Sequence, residues 1–342
     1  VISTRRFPPR LTLAFALRVA PVGAAWAFVV FLLYAYGDLR FLRIPFLPIA
    51  TIGTAVAFYI GFKNNSAYER FWEGRKIWGG IVNESRSWAT SVMSYIGPGH
   101  DDAQWKELRR ELIYRQLAWI NALRLQLRKT SRFFNRPAPS TKRRLERHAD
   151  VMRNEWDTEL APFLDDEELA QTKSEANAAA QLLRRQAAEL AQLLGEKKLD
   201  LFHQIAMMEV IRELYALQGK CERIKNTPFP RQYAEYSRIF TRAFVISVPF
   251  GLLDVFGDHV DAALSTLETL APVVPMILAA AAIHWVFVTM ESIGDSSEDP
   301  FERSMNDVPM NALCRTIEID LREMLGETDL PAKEKPADGV LY

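Results

Sequence analysis

Three stretches of the chain carry no Asp, Glu, Lys or Arg: Val19 to Gly37, Ile44 to Phe62 and Thr269 to Met290. A helix rises about 1.5 Å per residue, so a run of about 19 residues matches a hydrocarbon core roughly 30 Å thick. A fourth run, Ile239 to Phe256, holds charge only near its ends, at Arg242 and Asp254, where a long side chain can snorkel to an interface. The pattern predicts an all-α integral membrane protein with four transmembrane helices, at about 19–37, 44–62, 239–256 and 269–290. Prolines in or beside these runs, such as Pro21, Pro249 and Pro275, would suit buried helices of a soluble core. Several uncharged runs of this length exceed what such a core needs. A cleavable signal peptide is excluded by position, because the small-residue site Ala25-Trp26-Ala27 falls inside the first apolar run.

The charged positions set the expected orientation. Arg5, Arg6, Arg10 and Arg18 precede the first run, Lys63, Arg70, Arg75 and Lys76 follow the second, and Lys220, Arg223, Lys225, Arg231 and Arg238 precede the third. Basic flanks stay on the cytosolic side. The expected organisation is therefore an N-terminal arm with two spans over residues 1–63, a helical cytosolic region over 64–238, two further spans over 239–290 and a cytosolic C-terminal part over 291–342. Both termini face the cytosol of a multi-pass protein of the cell's inner membrane. The outward link from Asp254 carries Asp258, Asp261 and Glu268 with no basic residue, so Asp254, Asp258 and Asp261 are candidates for an acidic outer mouth. A solvated loop is the plainer reading of the same residues.

Within the central block, helices are expected from Trp105 to Phe134, from about Glu167 to Leu194 and from Leu199 to Ile224. A last helix is expected from about Pro309 to Leu325, and a mobile tail after Glu327. The first of these sets Leu108, Leu112, Leu117, Ile120 and Leu123 against Arg109, Arg110, Arg115, Arg124 and Arg128, which reads as a solvated, salt-bridged face.

Composition narrows the chemistry. Lys plus Arg equals Asp plus Glu at 42 each, so the basic face does not predict nucleic acid as a partner. Cys221 and Cys314 lie far apart in regions assigned to the cytosol, where reduced thiols are expected. There is no phosphate-cradling glycine loop, nucleophile elbow or paired His–carboxylate metal spacing, so an enzyme is not predicted. His284, inside the last apolar run, reads first as a helix-packing residue.

The second apolar run is divided by side-chain size. Gly53, Ala57 and Gly61 form one row at spacings of four, which lets a neighbouring helix approach closely. One position further round lie Thr54, Phe58 and Phe62. Packed about an axis with copies of itself, the helix would turn these three inward as a narrow apolar throat that excludes water and so gates ions. Contact with lipid or another helix explains the same spacing, and the residues alone leave both open.

Three stretches resemble the bestrophin family, in particular its bacterial branch: GFKNNSAYERFWEGRKIWG (Gly61 to Gly79), CERIKNTPFP (Cys221 to Pro230) and EDPFERSMNDVPMNALCRTIEIDL (Glu298 to Leu321). The resemblance implies a homopentameric ion channel in a lipid bilayer, passing small inorganic ions, with chloride favoured, through one axial pore. It implies a pore neck at Thr54, Phe58 and Phe62 and a second, cytosolic constriction at Phe202 or Ile205. A cation-selective channel of the same fold stays open, as does a membrane-anchored scaffold or sensor. Animal members bind calcium after the last membrane helix, and by position Ser296, Asp299, Ser304 and Asp307 correspond. Two carboxylates and two hydroxyls are a poorer calcium set than an all-acid clasp, so no cofactor is expected.

Overall fold

The computed structural model describes residues 1–2, 9–37, 39–129, 146, 152–257 and 273–342. The described residues are helical, with only isolated bridges such as Ile2 with Val340 between extended segments. In chain order the helices are α1 (Pro9–Ala35), α2 (Phe46–Tyr95), α3 (Ala103–Arg128), α4 (Trp156–Leu160), α5 (Asp166–Ser174), α6 (Ala178–Gly195), α7 (Leu201–Asn226), α8 (Arg231–Val255), α9 (Val274–Ser297) and α10 (Met310–Met324). The chain divides into two compact units, Thr4–Glu69 with Phe229–Glu298, and Val1–Ser3 with Arg70–Pro228 and Asp299–Tyr342.

The first unit holds the apolar runs. Among the described residues three helices are long and apolar enough to cross a membrane: α1 from Thr12, α2 and α9. The fourth run lies in α8, which carries Arg231, Glu235, Arg238 and Arg242 in its first half and packs on α1 and α9. Ala27, Val30 and Phe31 of α1, Ile49, Val56 and Ile60 of α2, Phe244, Val248 and Leu252 of α8 and Met276 and Ala280 of α9 make one core. Small residues set the approach distances, since lipid offers no hydrophobic drive between helices. A Cβ on Gly23 would stand 2.5 Å from the Cβ of His284, and one on Gly53 would stand 2.6 Å from the Phe244 ring. His284 thus packs on α1 through its Cβ.

The second unit is built round α3. Its start is capped by Asp102, whose carboxylate accepts the Trp105 N–H at 3.3 Å, and it runs to Arg128, where Lys129 turns extended; the rest of the stretch expected to reach Phe134 lies outside the described residues. Leu112, Leu117, Ile120 and Leu123 pack with Trp78, Ile81 and Trp88 of α2, Leu182, Leu183 and Leu190 of α6, Ile211 and Leu214 of α7 and Ile317 and Leu321 of α10. With neighbours on almost every side, α3 has no solvated basic face. Arg109, Arg115, Arg124 and Arg128 are buried and only Arg110 is exposed. Each buried guanidinium has partners: Arg109 closes the end of α2 by donating to the carbonyls of Ile96 (2.8 Å), Gly97 and His100 (2.9 Å). Arg115 pairs with Glu168 at 2.9 Å, and Arg124 pairs with Glu159. Burial and the neighbouring Arg124 and Arg303 hold the Arg128 guanidinium down at about 9.

Two further expectations are corrected. The stretch from Glu167 to Leu194 is two helices, because Asn177 caps a new start by accepting the Ala180 N–H at 3.1 Å. The tail after Glu327 is held in place: Glu334 pairs with Arg153 at 2.6 Å, the Ala312 N–H donates to the Tyr342 carbonyl at 2.9 Å, and Val340 and Tyr342 are buried.

Candidate functional site: the exposed face of helix α2

Helix α2 runs 50 residues without a break, from Phe46 to Tyr95, before Gly97 turns the chain at φ +57°. Asp254 of α8 sits over its first turn, accepting the Phe46 N–H at 3.3 Å and the Arg43 guanidinium at 3.4 Å. A carboxylate there complements the positive end of the helix dipole. Asp254 is thus engaged locally; Asp258 and Asp261 lie outside the described residues.

Around the helix the sides differ sharply. Ile49, Val56 and Ile60 face the core, and Lys63 is buried at the same side's end. On the opposite side Thr54, Phe58 and Phe62 share one exposed stripe, with Phe58 66% and Phe62 70% exposed. The Thr54 hydroxyl donates back to the Ala50 carbonyl at 3.0 Å, so it presents mostly its methyl. The row of small residues is not uniform. Gly53 is packed on Phe244, Ala57 is half-buried, and a Cβ on Gly61 would meet nothing within 4 Å. The stripe continues through exposed Asn65 and Glu69, joined by a 2.8 Å hydrogen bond.

Sequence reasoning missed the role of Lys63, which it counted as a basic flank. Its side chain is fully buried and its Nζ donates to Glu291 Oε1 at 2.7 Å and to Asp295 Oδ1 at 2.5 Å, both on α9. The second Glu291 oxygen accepts the Ser237 hydroxyl of α8 at 2.6 Å. The signal was present: Glu291 and Asp295, four apart, follow one apolar run as Lys63 follows another.

In the other unit, Phe202 and Ile205 stand in the first turns of α7, capped by Asp200, and are 78% and 50% exposed. Of the four residues considered for calcium, Ser296, Asp299 and Asp307 have separate partners. The Ser296 hydroxyl donates to the Ile293 carbonyl at 2.9 Å, the Asp299 carboxylate lies 4.0 Å from Arg70, and Ser304 is buried. Asp307, wholly buried, accepts the N–H groups of Phe301 and Val308, each at 2.6 Å, and of Arg303. Burial pushes its carboxyl above the usual carboxylate range, against the pull of those three N–H groups and of Arg128. Those bonds hold Phe301 and Arg303 at positive φ, which leaves the buried Phe301 ring against Gly74. Among the described residues no group of three or more His, Cys, Asp or Glu could hold a metal ion.

The architecture is that of an all-helical protein with membrane-spanning helices, one of which leaves an aromatic stripe uncovered. The bacterial/fungal bestrophin family profile matches residues 10–323, and the chain belongs to the bestrophin family, which is a family of ion channels and not of enzymes. It is 29% identical over 308 residues to the voltage-dependent anion channel-forming protein YneE of Escherichia coli, covering 90% of this chain and 86% of that one. To the voltage-dependent anion channel-forming protein mll4386 of Mesorhizobium japonicum it is 28% identical, covering 86% and 79%. The crystal structure of a bacterial bestrophin homologue from Klebsiella pneumoniae has the same fold, with a TM-score of 0.70 at 24% identity over 90% of this chain and 98% of that one.

Proposed function

We propose that the chain is one subunit of a pentameric channel that passes monovalent anions, chloride foremost, through an axial pore whose neck is formed by Thr54, Phe58 and Phe62. The observation that carries this is the stripe on α2. Two large phenyl groups stay uncovered on a helix whose opposite side is closed by core contacts and a buried ion pair, and the same stripe runs on into exposed, polar Asn65 and Glu69, which suits a water-filled axis better than lipid. Rings of phenyl groups gate by shedding water when the passage narrows. Relatives named as anion channel-forming proteins support the choice of ion. Asp254 already has Arg43 and the α2 N-terminus as partners, which weakens the case for a cation-concentrating mouth.

In this reading α8 is the fourth span, both termini face the cytosol of the inner membrane, and Phe202 or Ile205 forms the inner constriction. No calcium cofactor is needed, because the Asp307 oxygens are taken up by the loop's own backbone. The test is purified protein in a planar bilayer under a potassium chloride gradient. The expected reversal potential lies toward the chloride equilibrium, native mass spectrometry counts five subunits, and Phe58→Ala with Phe62→Ala raises the current. A reversal potential toward potassium would replace the anion by a cation. Silence of both the native protein and the double alanine variant, or a monomer, would point to a membrane-anchored scaffold.

A further inference from the structure

The neck accounts for one side of α2 and leaves the other side's charges unexplained. Lys63 and Glu291 are buried together, with the partly exposed Asp295 beside them, in the unit whose apolar core is shared by α1, α2, α8 and α9. Burying such charges is costly, and a hydrophobic contact of similar volume would join the helices at no greater cost. What the ion pair adds over a greasy contact is direction. The Lys63 Nζ is tied to two carboxylates on α9, and Glu291 is tied in turn to Ser237 on α8, so three helices meet at one point. Next to it Asn64 donates to the Met290 carbonyl at 3.0 Å, in a space that Gly294 leaves open, since a Cβ there would collide with the Asn64 oxygen. Lys63 and Asn64 directly follow Phe62, and each residue turns a helix by about 100°. Fixing those two side chains on α9 therefore fixes the direction in which the Phe62 ring points.

We propose that Lys63 is a positioning residue for the neck, its pairing with Glu291 and Asp295 setting the rotation of α2 and so the direction of the Phe62 ring. The inference rests on the channel reading above. Releasing the pair lets α2 turn, moves the ring out of line and leaves the closed neck leaky.

Lys63→Met alone strands the buried Glu291 carboxylate, whereas Asp295 keeps Arg238 of α8 at 3.6 Å, so the informative variant is Lys63→Met with Glu291→Gln, in which the amide still accepts from Ser237. Two readouts are taken. The first is the rate at which a thiol-specific reagent modifies Phe62→Cys, with and without the paired change. Cys221 and Cys314 are buried, so the introduced thiol reports alone. The rate is expected to change about threefold to tenfold, the size of shift that coupled positions commonly show, while Lys63→Arg keeps the native rate. The second is the current, expected to rise several-fold in the paired variant and to show no further rise when Phe62→Ala is already present. An unchanged modification rate in a normally assembled variant overturns the proposal, as does an equal rise in current with Phe62 removed. Absence of current from the native protein would instead count against the channel reading, and the modification rate would still decide the role of Lys63.

Discussion

Gly53 and Gly61 stand on the same row of α2, two turns apart, yet their surroundings are opposite. A methyl at Gly53 would press into the Phe244 ring, whose own position is set by the Phe287 ring at 4.5 Å between centroids. Gly53→Ala should therefore cost about 1–3 kcal/mol through overpacking, seen as a lower thermal midpoint of the detergent-solubilised protein. Gly61→Ala meets nothing within its own chain and should leave the fold of the subunit intact. If a change there weakens the assembly measured by native mass spectrometry, a second copy is what approaches Gly61. The two cysteines are the other residue-level test. Burial pushes the Cys314 thiol up to about 11 and raises Cys221 as well. At pH 8 neither should react with a maleimide in the folded protein, and both should react once it is denatured. An acid whose pKa is raised by folding contributes most while protonated, so the stability these thiols contribute is lost as pH climbs past the ordinary thiol range.

Among the elements, α3 and the loop between α9 and α10 depart furthest from their sequence pattern. Five arginines on α3 look like a solvent face, because periodicity reports which residues lie together and not what covers them. Four of them are buried, and what makes this tolerable comes from the carbonyls of the turn after α2 and from carboxylates on α4 and α5, 35 and 53 residues away and beyond any local window. In the loop, Asp307 is read by position as a cation ligand but works as an internal cap. Replacing it by Asn keeps one acceptor and turns an NH2 group toward backbone N–H groups. Asp307→Asn should cost about 1–3 kcal/mol, and faster amide exchange at Phe301, Arg303 and Val308 would locate the loss. Added calcium should not restore protection in that variant or raise the stability of the native protein; a calcium-dependent rise in the native midpoint would reinstate a metal clasp.

At the scale of the whole molecule, the apolar runs were legible because membrane insertion is a matter of length and charge content, and both can be counted along a chain. The helical character of the charged region, most of its helix starts and the division of α2 by side-chain size were legible for the same reason, being periodic or local. The exposed stripe of Thr54, Phe58 and Phe62 was present as a spacing, but only packing showed that Ile49, Val56 and Ile60 occupy the core side and leave the two phenyl rings uncovered. Lys63 shows the limit most plainly. Next to an apolar run it reads as a basic flank, and nothing local distinguishes that from a buried charge. Its partners lie more than two hundred residues away at Glu291 and Asp295. Sequence alone determined where helices form and which segments avoid water, since those depend on neighbours in the chain. The tertiary structure decided which charges are buried and which aromatic rings stay open, since those depend on neighbours in space.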